Sequence, residues 1–322
     1  MFLYRERWKG SDDMASIAYV TDQQMIEFHR LNGNSEINFW RPSSSTKKFA
    51  DFHEGDFLFF LAKGTERGRK REKGIVGYGI YHKSTQMKFE QMWRKYKTLN
   101  GYPSKKTLYE AIVKVSKTKK MPEILNCLEL KQVVFFQSPL YLSDIGIKIS
   151  NQLESYFYLD RSHTNITSRI LVEAEKIGID AWSSMYHEKD SMRFQYDAYS
   201  SVVSSALEKI HELTYTGKEL QNAAKLIRMY QKNIEGTSDL ISKTCLLHFH
   251  KNKTDICMPL LPNDPNLCKA MIAQALWLLH EVDQNFPDCL NTLLFISEKP
   301  LKKELQSFLE ALKIQTVIMK QP

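Results

Sequence analysis

The sequence is short of the features that define several large protein classes. Its five cysteines (Cys127, Cys245, Cys257, Cys268 and Cys289) are scattered without a CxxC pair. That spacing argues against both a disulfide framework and a cysteine-ligated zinc cluster. No apolar run approaches the roughly 20 residues that span a bilayer. The opening residues, Met1-Phe2-Leu3-Tyr4-Arg5-Glu6-Arg7, mix charge into an apolar stretch where a signal peptide would need an unbroken core. A cytoplasmic protein with no membrane partner is expected. Internal repeats and low-complexity tracts are missing, which excludes solenoids and propellers. There is no P-loop, dinucleotide fingerprint, GxSxG elbow or HExxH, so nucleotide hydrolysis, hydride transfer and those hydrolase chemistries have no support. Gly77-Tyr78-Gly79 is a lone GxG, a weak signal.

What is present is a globular composition with an uneven charge. The chain has 322 residues, 43% hydrophobic and 25% charged, enough for two domains with cores of their own. Its net charge is +8, but residues 1–150 hold 26 Lys+Arg against 16 Asp+Glu, whereas the remainder holds 19 against 21. Residues 61–120 alone carry 17 basic and 4 acidic residues. A basic module joined to a near-neutral one fits a polyanionic ligand, because cations that neutralise phosphates release condensed counterions. A surface charged for solubility is the competing explanation.

The pattern divides the chain into 1–155, a helical connector over 156–215, and 216–322. In the first part, residues 56–62 form an apolar run predicted to be a strand buried on both faces. The basic, glycine-punctuated loop from Lys63 to Lys73 leads to a second strand over 74–81, whose glycines allow a bulge or a close backbone approach. A third strand is predicted over 131–136, and helices over 89–99 and 104–115. Helices dominate 162–232, including one opened by a capping box at Thr216-Gly217-Lys218-Glu219. Beyond it, strands are predicted over 244–249 and 254–260, a helix over 265–282, a strand over 292–296, a helix from Pro300 and a strand over 315–319. That order implies a sheet flanked by helices.

Asn38-Phe39-Trp40-Arg41-Pro42-Ser43, Gly55-Asp56, Phe59-Phe60, Gly77-Tyr78-Gly79, Trp93 and Asn100-Gly101 form an ordered set. Over roughly residues 30–150 this set resembles the EVE branch of the PUA-like superfamily, in the NFW-x-P variant found fused to HNH nucleases. The resemblance implies a small mixed β-barrel that binds nucleic acid, and in some relatives an aromatic pocket for an extruded, modified base. An extruded base needs planar faces and a few edge contacts. Trp40, Phe60, Tyr78, Trp93 and Tyr96 are candidate faces, with core packing the alternative for Phe60 and Trp93. Asn38, Ser43, Ser44 and Asn100 are candidate edge contacts. Arg41, Lys63, Arg67, Arg69, Lys70, Arg71 and Lys73 are candidate nucleic-acid contacts, those of the loop suited to flanking phosphates. The inserted loop and the lysines of 114–120 depart from the family pattern.

From Thr216 onward the order of elements resembles the PD-(D/E)XK nuclease fold, so the expected architecture is a two-domain α+β and α/β chain. Ala270 to Trp277 contains an A-x-x-Q-A motif. The E/D-x-K expected on the strand Thr254-Asp255-Ile256-Cys257-Met258-Pro259-Leu260 is missing, which implies a degenerate site. Asp239 and Asp255, as metal ligands, and Gln274, lining the site, are the remaining catalytic candidates, with a surface or capping role as the alternative for each and buried hydrogen bonding a further one for Gln274. The sequence identifies no metal-ligand set: His248-x-His250 places two imidazoles on one strand face, geometry a metal could use, but with no third ligand evident a packed or solvent-facing pair is the expectation. The resemblances together imply a DNA-binding protein in a restriction or anti-phage defence setting. Its nuclease-like domain would then be a scaffold, a partner-binding surface or a homodimer contact. No cofactor is expected for binding. The alternatives are an active Mg²⁺-dependent endonuclease with a divergent site, and an RNA-binding PUA-like protein.

Overall fold

The computed structural model describes residues 16–42, 52–147, 155–160, 166–182, 193–210, 215–250, 253–287 and 289–319. They fall into two compact units divided between Gln195 and Tyr196. Among the described residues, no helix is long and apolar enough to cross a membrane. Both units are mixed α and β, each built on one sheet.

The first unit contains β1 (Ile17–Thr21), α1 (Gln23–Leu31), β2 (Glu36–Arg41), β3 (Phe57–Ala62) and β4 (Ile75–Met87). These are followed by α2 (Phe89–Tyr96), α3 (Lys105–Val115), β5 (Leu125–Leu140), β6 (Tyr156–Tyr158) and α4 (Ile166–Ile177). The sheet order is β2-β5-β4-β3-β1-β6. Among the described strands of this sheet only β1 and β3 run parallel, pairing Ile17 with Leu58 through Thr21 with Ala62. Every residue of β3 is buried, as its unbroken apolar run predicts. Leu58 and Phe60 point into a core with Ile17, Met25, Met92, Leu108 and Ile112. Phe57 and Phe59 meet Tyr78 on the opposite face, at ring separations of 5.3 and 5.7 Å. Full burial of such side chains stabilises by about 1.5–3 kcal/mol each.

The second and third predicted strands are much longer than their apolar segments, because polar residues continue the β4–β5 ladder out to Met87 and Leu125. Register shifts interrupt that ladder beside Gly77, where an added Cβ would lie 2.3 Å from the Val134 carbonyl oxygen. This is the close backbone approach that the glycines allow. The expected barrel is instead a curled, open sheet. Its end strands β2 and β6 share no pairing among the described residues. Side chains of β2 reach across to the other end of the sheet: the Arg41 guanidinium sits over Tyr156 of β6 at 5.6 Å and over Tyr19 of β1 at 5.5 Å, and the Phe39 and Tyr19 rings lie 5.0 Å apart.

The second unit contains most of α5 (Arg193–Lys209), then α6 (Gly217–Asn233), β7 (Thr237–Ser242), β8 (Cys245–His250) and β9 (Lys253–Leu260). After these come α7 (Pro265–Asn285), β10 (Leu290–Ser297), α8 (Lys303–Ala311) and β11 (Gln315–Ile318). Strands β7, β8 and β9 form an antiparallel meander, and β10 and β11 add in parallel through the crossovers of α7 and α8. The capping box opens α6 as predicted: the Glu219 carboxylate accepts from the Thr216 amide at 2.8 Å and Thr216 Oγ1 accepts from the Glu219 amide at 3.3 Å. Leu226 and Ile227 of α6 pack on Leu246, Cys257, Leu294 and Ile296 of the sheet. On the other face, Tyr199 of α5 stacks on Phe286 at 3.9 Å and meets Phe249 edge-on. Helix α8 starts at Lys303 and not at Pro300, after a turn in which Ser297 Oγ donates to the Lys299 carbonyl.

Candidate nucleic-acid interface

Three of the predicted residues come together in the first unit. Asn38 and Trp40 alternate with Phe39 along β2, so both point to the same side of the strand. Asn100 closes a short 3₁₀ turn after α2, and Gly101 takes the left-handed conformation (φ 83°) that ends it. Asn38 Nδ2 donates to Asn100 Oδ1 at 2.8 Å, Trp40 Nε1 donates to the Asn100 carbonyl at 2.9 Å, and Asn100 Nδ2 donates to the Lys97 carbonyl at 2.7 Å. Both asparagines are wholly buried, and Asn38 Oδ1 has no hydrogen-bond partner among the described residues. The asparagine pair therefore positions Trp40.

Trp40 forms part of the wall of a cleft of about 430 Å³. Tyr102 and Pro103 follow the Gly101 turn into it, Thr107, Glu110, Ala111, Lys114 and Val115 line it from α3, and Gln24 and Phe28 line it from α1 with the N-cap Asp22. The Trp40 and Tyr102 rings are 6.2 Å apart and tilted by 46°. Burial, and a hydrogen bond to the Asp22 carboxylate, push the Tyr102 hydroxyl well above its ordinary pKa, so it stays protonated. Tyr102 and Asp22 escape sequence reasoning. The signal was the Asn100-Gly101-Tyr102-Pro103 turn, which puts an aromatic immediately after a left-handed glycine.

The basic loop forms a small built hairpin. Arg67 and Glu72 exchange backbone hydrogen bonds at 3.0 Å, and Gly68 and Arg71 take positive φ between them. Its base is pinned from the segment after β5. Tyr141 Oη donates to the Thr65 carbonyl at 2.7 Å, Glu72 accepts from the Ser143 amide and hydroxyl at 2.9 and 2.6 Å, and the Arg67 guanidinium bonds Asp144 and stacks 3.7 Å over the Tyr141 ring. Arg69, Lys70 and Arg71 are exposed at the tip, and Lys63 is exposed at the root. That root adjoins the cleft: the Lys63 amide donates to the Thr21 carbonyl at 3.1 Å, and Gly64 lies against Gln23, between cleft residues Asp22 and Gln24. Lys114 lines the cleft, and Lys117, Lys119 and Lys120 continue exposed beyond the end of α3.

The other candidates lie elsewhere. Phe60 is wholly buried against Phe39 and Phe135, and Tyr78 is wholly buried on the opposite face of the sheet. Trp93 packs half-buried against the core, and Tyr96 donates to Glu129 at 2.6 Å. Arg41 bridges the ends of the curled sheet, and Lys73 lies half-buried on the returning side of the hairpin. Ser43 and Ser44 fall outside the described residues.

In the second unit the three catalytic candidates are not assembled. Asp239 pairs in register with Leu247, and Asp255 with His248. Neighbours along β8 point to opposite faces, so the two aspartates do as well. Asp239 accepts from Ser200 of α5 at 2.6 Å, and Gln274 is buried in α7 with its Oε1 unpartnered among the described residues. The hard, carboxylate-rich set that Mg²⁺ takes does not form from these residues. Register instead supplies the third donor that the spacing of His248 and His250 does not show. His248, His250 and Asp255 each offer one ligand atom, all within 4.8 Å of one another. His250 Nε2 lies 2.8 Å from Asp255 Oδ2, while Lys253 at 2.8 Å and the Thr292 hydroxyl hold Oδ1. Burial would raise the Asp255 pKa, but the bonds from Lys253, Thr292 and His250 outweigh it and hold the carboxyl below its ordinary range.

No protein-family model matches the chain, and no curated protein matches it. Among solved structures, the ASCH protein of Zymomonas mobilis shares 13% identity at a TM-score of 0.32, over 48% of this chain and 93% of that one. Two point variants of the same protein align at 12% identity with TM-scores of 0.33 and 0.34, over 48% and 49% of this chain and 98% and 97% of theirs. At these scores the likeness does not establish a common fold.

Proposed function

We propose that the first unit binds nucleic acid, taking one unstacked base into the Trp40–Tyr102 cleft while the hairpin tip and the lysines after α3 hold flanking phosphates. The observation that carries this reading is the juxtaposition of an aromatic-walled cleft with two exposed basic segments, one rooted beside it and one leading away from it. A volume of 430 Å³ lies within the roughly 300–1,000 Å³ of small-ligand sites. An unstacked base is recognised by stacking on aromatic walls together with hydrogen bonds at its edge, and Asp22, Gln24 and Thr107 supply polar groups at the cleft. DNA, including a modified base, is the favoured ligand on the sequence resemblance, with a restriction or defence setting. In that reading the second unit is a scaffold or protein-contact domain.

The test is fluorescence anisotropy with unmodified and cytosine-modified DNA, single-stranded and duplex, and with RNA of the same sequence, across a salt series. Replacing both Arg69 and Lys70 by Ser is expected to weaken binding to every sequence alike and to reduce the salt slope by about 2. Ala111→Phe fills the cleft without touching a charge, and is expected to abolish discrimination between bases while leaving the salt slope intact. Discrimination that survives Ala111→Phe refutes the base pocket. Binding that does not respond to salt refutes the phosphate contacts. Tighter binding to RNA than to DNA would replace the ligand.

A further inference from the structure

The second unit contains a compact donor cluster that the nucleic-acid reading does not use. His248 and His250 on β8 and Asp255 on β9 share one sheet face, with their three ligand atoms within 4.8 Å. Strand register alone brings them together, since His248 sits directly opposite Asp255.

The surroundings of each donor match what a metal ligand requires. His248 is 7% exposed. Its Nε2 lies 2.9 Å from the Glu235 carbonyl, which can only accept, so Nε2 carries the proton. Nδ1 then keeps its lone pair, and it is buried with no hydrogen-bond partner among the described residues. A backbone carbonyl that fixes the tautomer of the far nitrogen is the usual outer support of a ligating histidine. On Asp255, Lys253 and Thr292 occupy Oδ1, which leaves Oδ2 facing His250. His250 is the exposed member, and its side chain opens the cluster to solvent at 42% exposure.

We infer that His248, His250 and Asp255 form a binding site for a divalent transition ion of the Zn²⁺ or Co²⁺ type, the ion replacing the direct His250–Asp255 hydrogen bond. Two imidazoles and one carboxylate suit such ions better than Mg²⁺, which takes oxygen ligands and keeps its waters. Three protein ligands leave a fourth tetrahedral position for water or another ligand. The adjacent Lys253 ammonium, bound at Oδ1, offsets part of the carboxylate charge and so limits affinity while leaving Oδ2 open to the ion.

The test uses the 322-residue chain stripped of metal, titrated with Zn²⁺ by calorimetry and with Co²⁺ by visible absorption. One ion per chain is expected, with a tetrahedral Co²⁺ spectrum, and excess Mg²⁺ should not displace it. His250→Ala should remove the binding, while the metal-free variant still unfolds cooperatively, its midpoint lowered only by the loss of the single His250–Asp255 hydrogen bond. Thr292→Val, which touches only the carboxylate support, should weaken it by about 10- to 100-fold. A control with His53 and His82 both replaced by Ala should bind as the wild type does. Absent binding, binding indifferent to His250→Ala, or displacement by Mg²⁺ would each overturn the inference.

Discussion

His29 gives the first unit a predictable sensitivity to acid. The ring is wholly buried in α1, Asn34 Nδ2 lies 3.0 Å from its Nδ1, and its Nε2 has no hydrogen-bond partner among the described residues. Burial pushes its pKa down to about 3 from 6.5. Between those values the unfolded chain binds a proton that the folded chain does not, so the stability contribution is complete above pH 6.5 and falls as the pH drops toward 3. At about 1.4 kcal/mol per pH unit, lowering the pH to 4.5 removes roughly 3 kcal/mol. His29→Gln keeps an acceptor for Asn34 and cannot titrate in this range. Urea unfolding followed by peptide-resolved hydrogen exchange separates residues 16–182 from the second unit. Wild type should lose roughly 3 kcal/mol more than His29→Gln between pH 7 and pH 4.5. Equal losses in the two proteins would refute the reasoning, because the burial of a neutral imidazole would then carry no proton linkage.

Other substitutions probe separate parts of the structure. Thr216→Ala removes the side-chain half of the α6 capping box and should lower the stability of the second unit by about 1 kcal/mol, read from its urea midpoint. Gly77→Ala drives a Cβ against the Val134 carbonyl and should cost roughly 2–4 kcal/mol in the first unit, seen as faster exchange along β4 and β5. The salt slope and base discrimination of the hairpin and cleft variants complete the set.

Segments whose environment is set by neighbours in sequence were legible from the sequence. The buried run of β3, the capping box of α6 and Pro265 at the start of α7 all announce themselves locally. What was not legible depends on partners far along the chain. Strand β7 reads Thr-Ser-Asp-Leu-Ile-Ser, and its pairing with β8 supplies what its polar composition does not. Strand β1 owes its place to parallel pairing with β3 some forty residues away. The site followed the same division. Trp40, Asn38 and Asn100 form one unit because motif residues on a strand and a turn happen to meet. Tyr78, three positions along β4 from its start, faces the other layer because alternation along a strand sends neighbouring residues to opposite sides. The histidine pair was visible in the sequence, but its third donor required a register that no spacing rule provides.

The pinned base of the 63–73 hairpin bears on how contact with a polyanion would proceed in time. A loose basic loop must be ordered as it binds, at about 1–2 kcal/mol of backbone entropy per residue fixed. Here the Arg67–Glu72 bridge, the Tyr141 bond and the Ser143 contacts hold the base before any ligand arrives. The cations of the tip would therefore meet phosphates with little left to immobilise. Such a device favours fast, electrostatically steered encounter, and its residence time would be governed by what the cleft accepts.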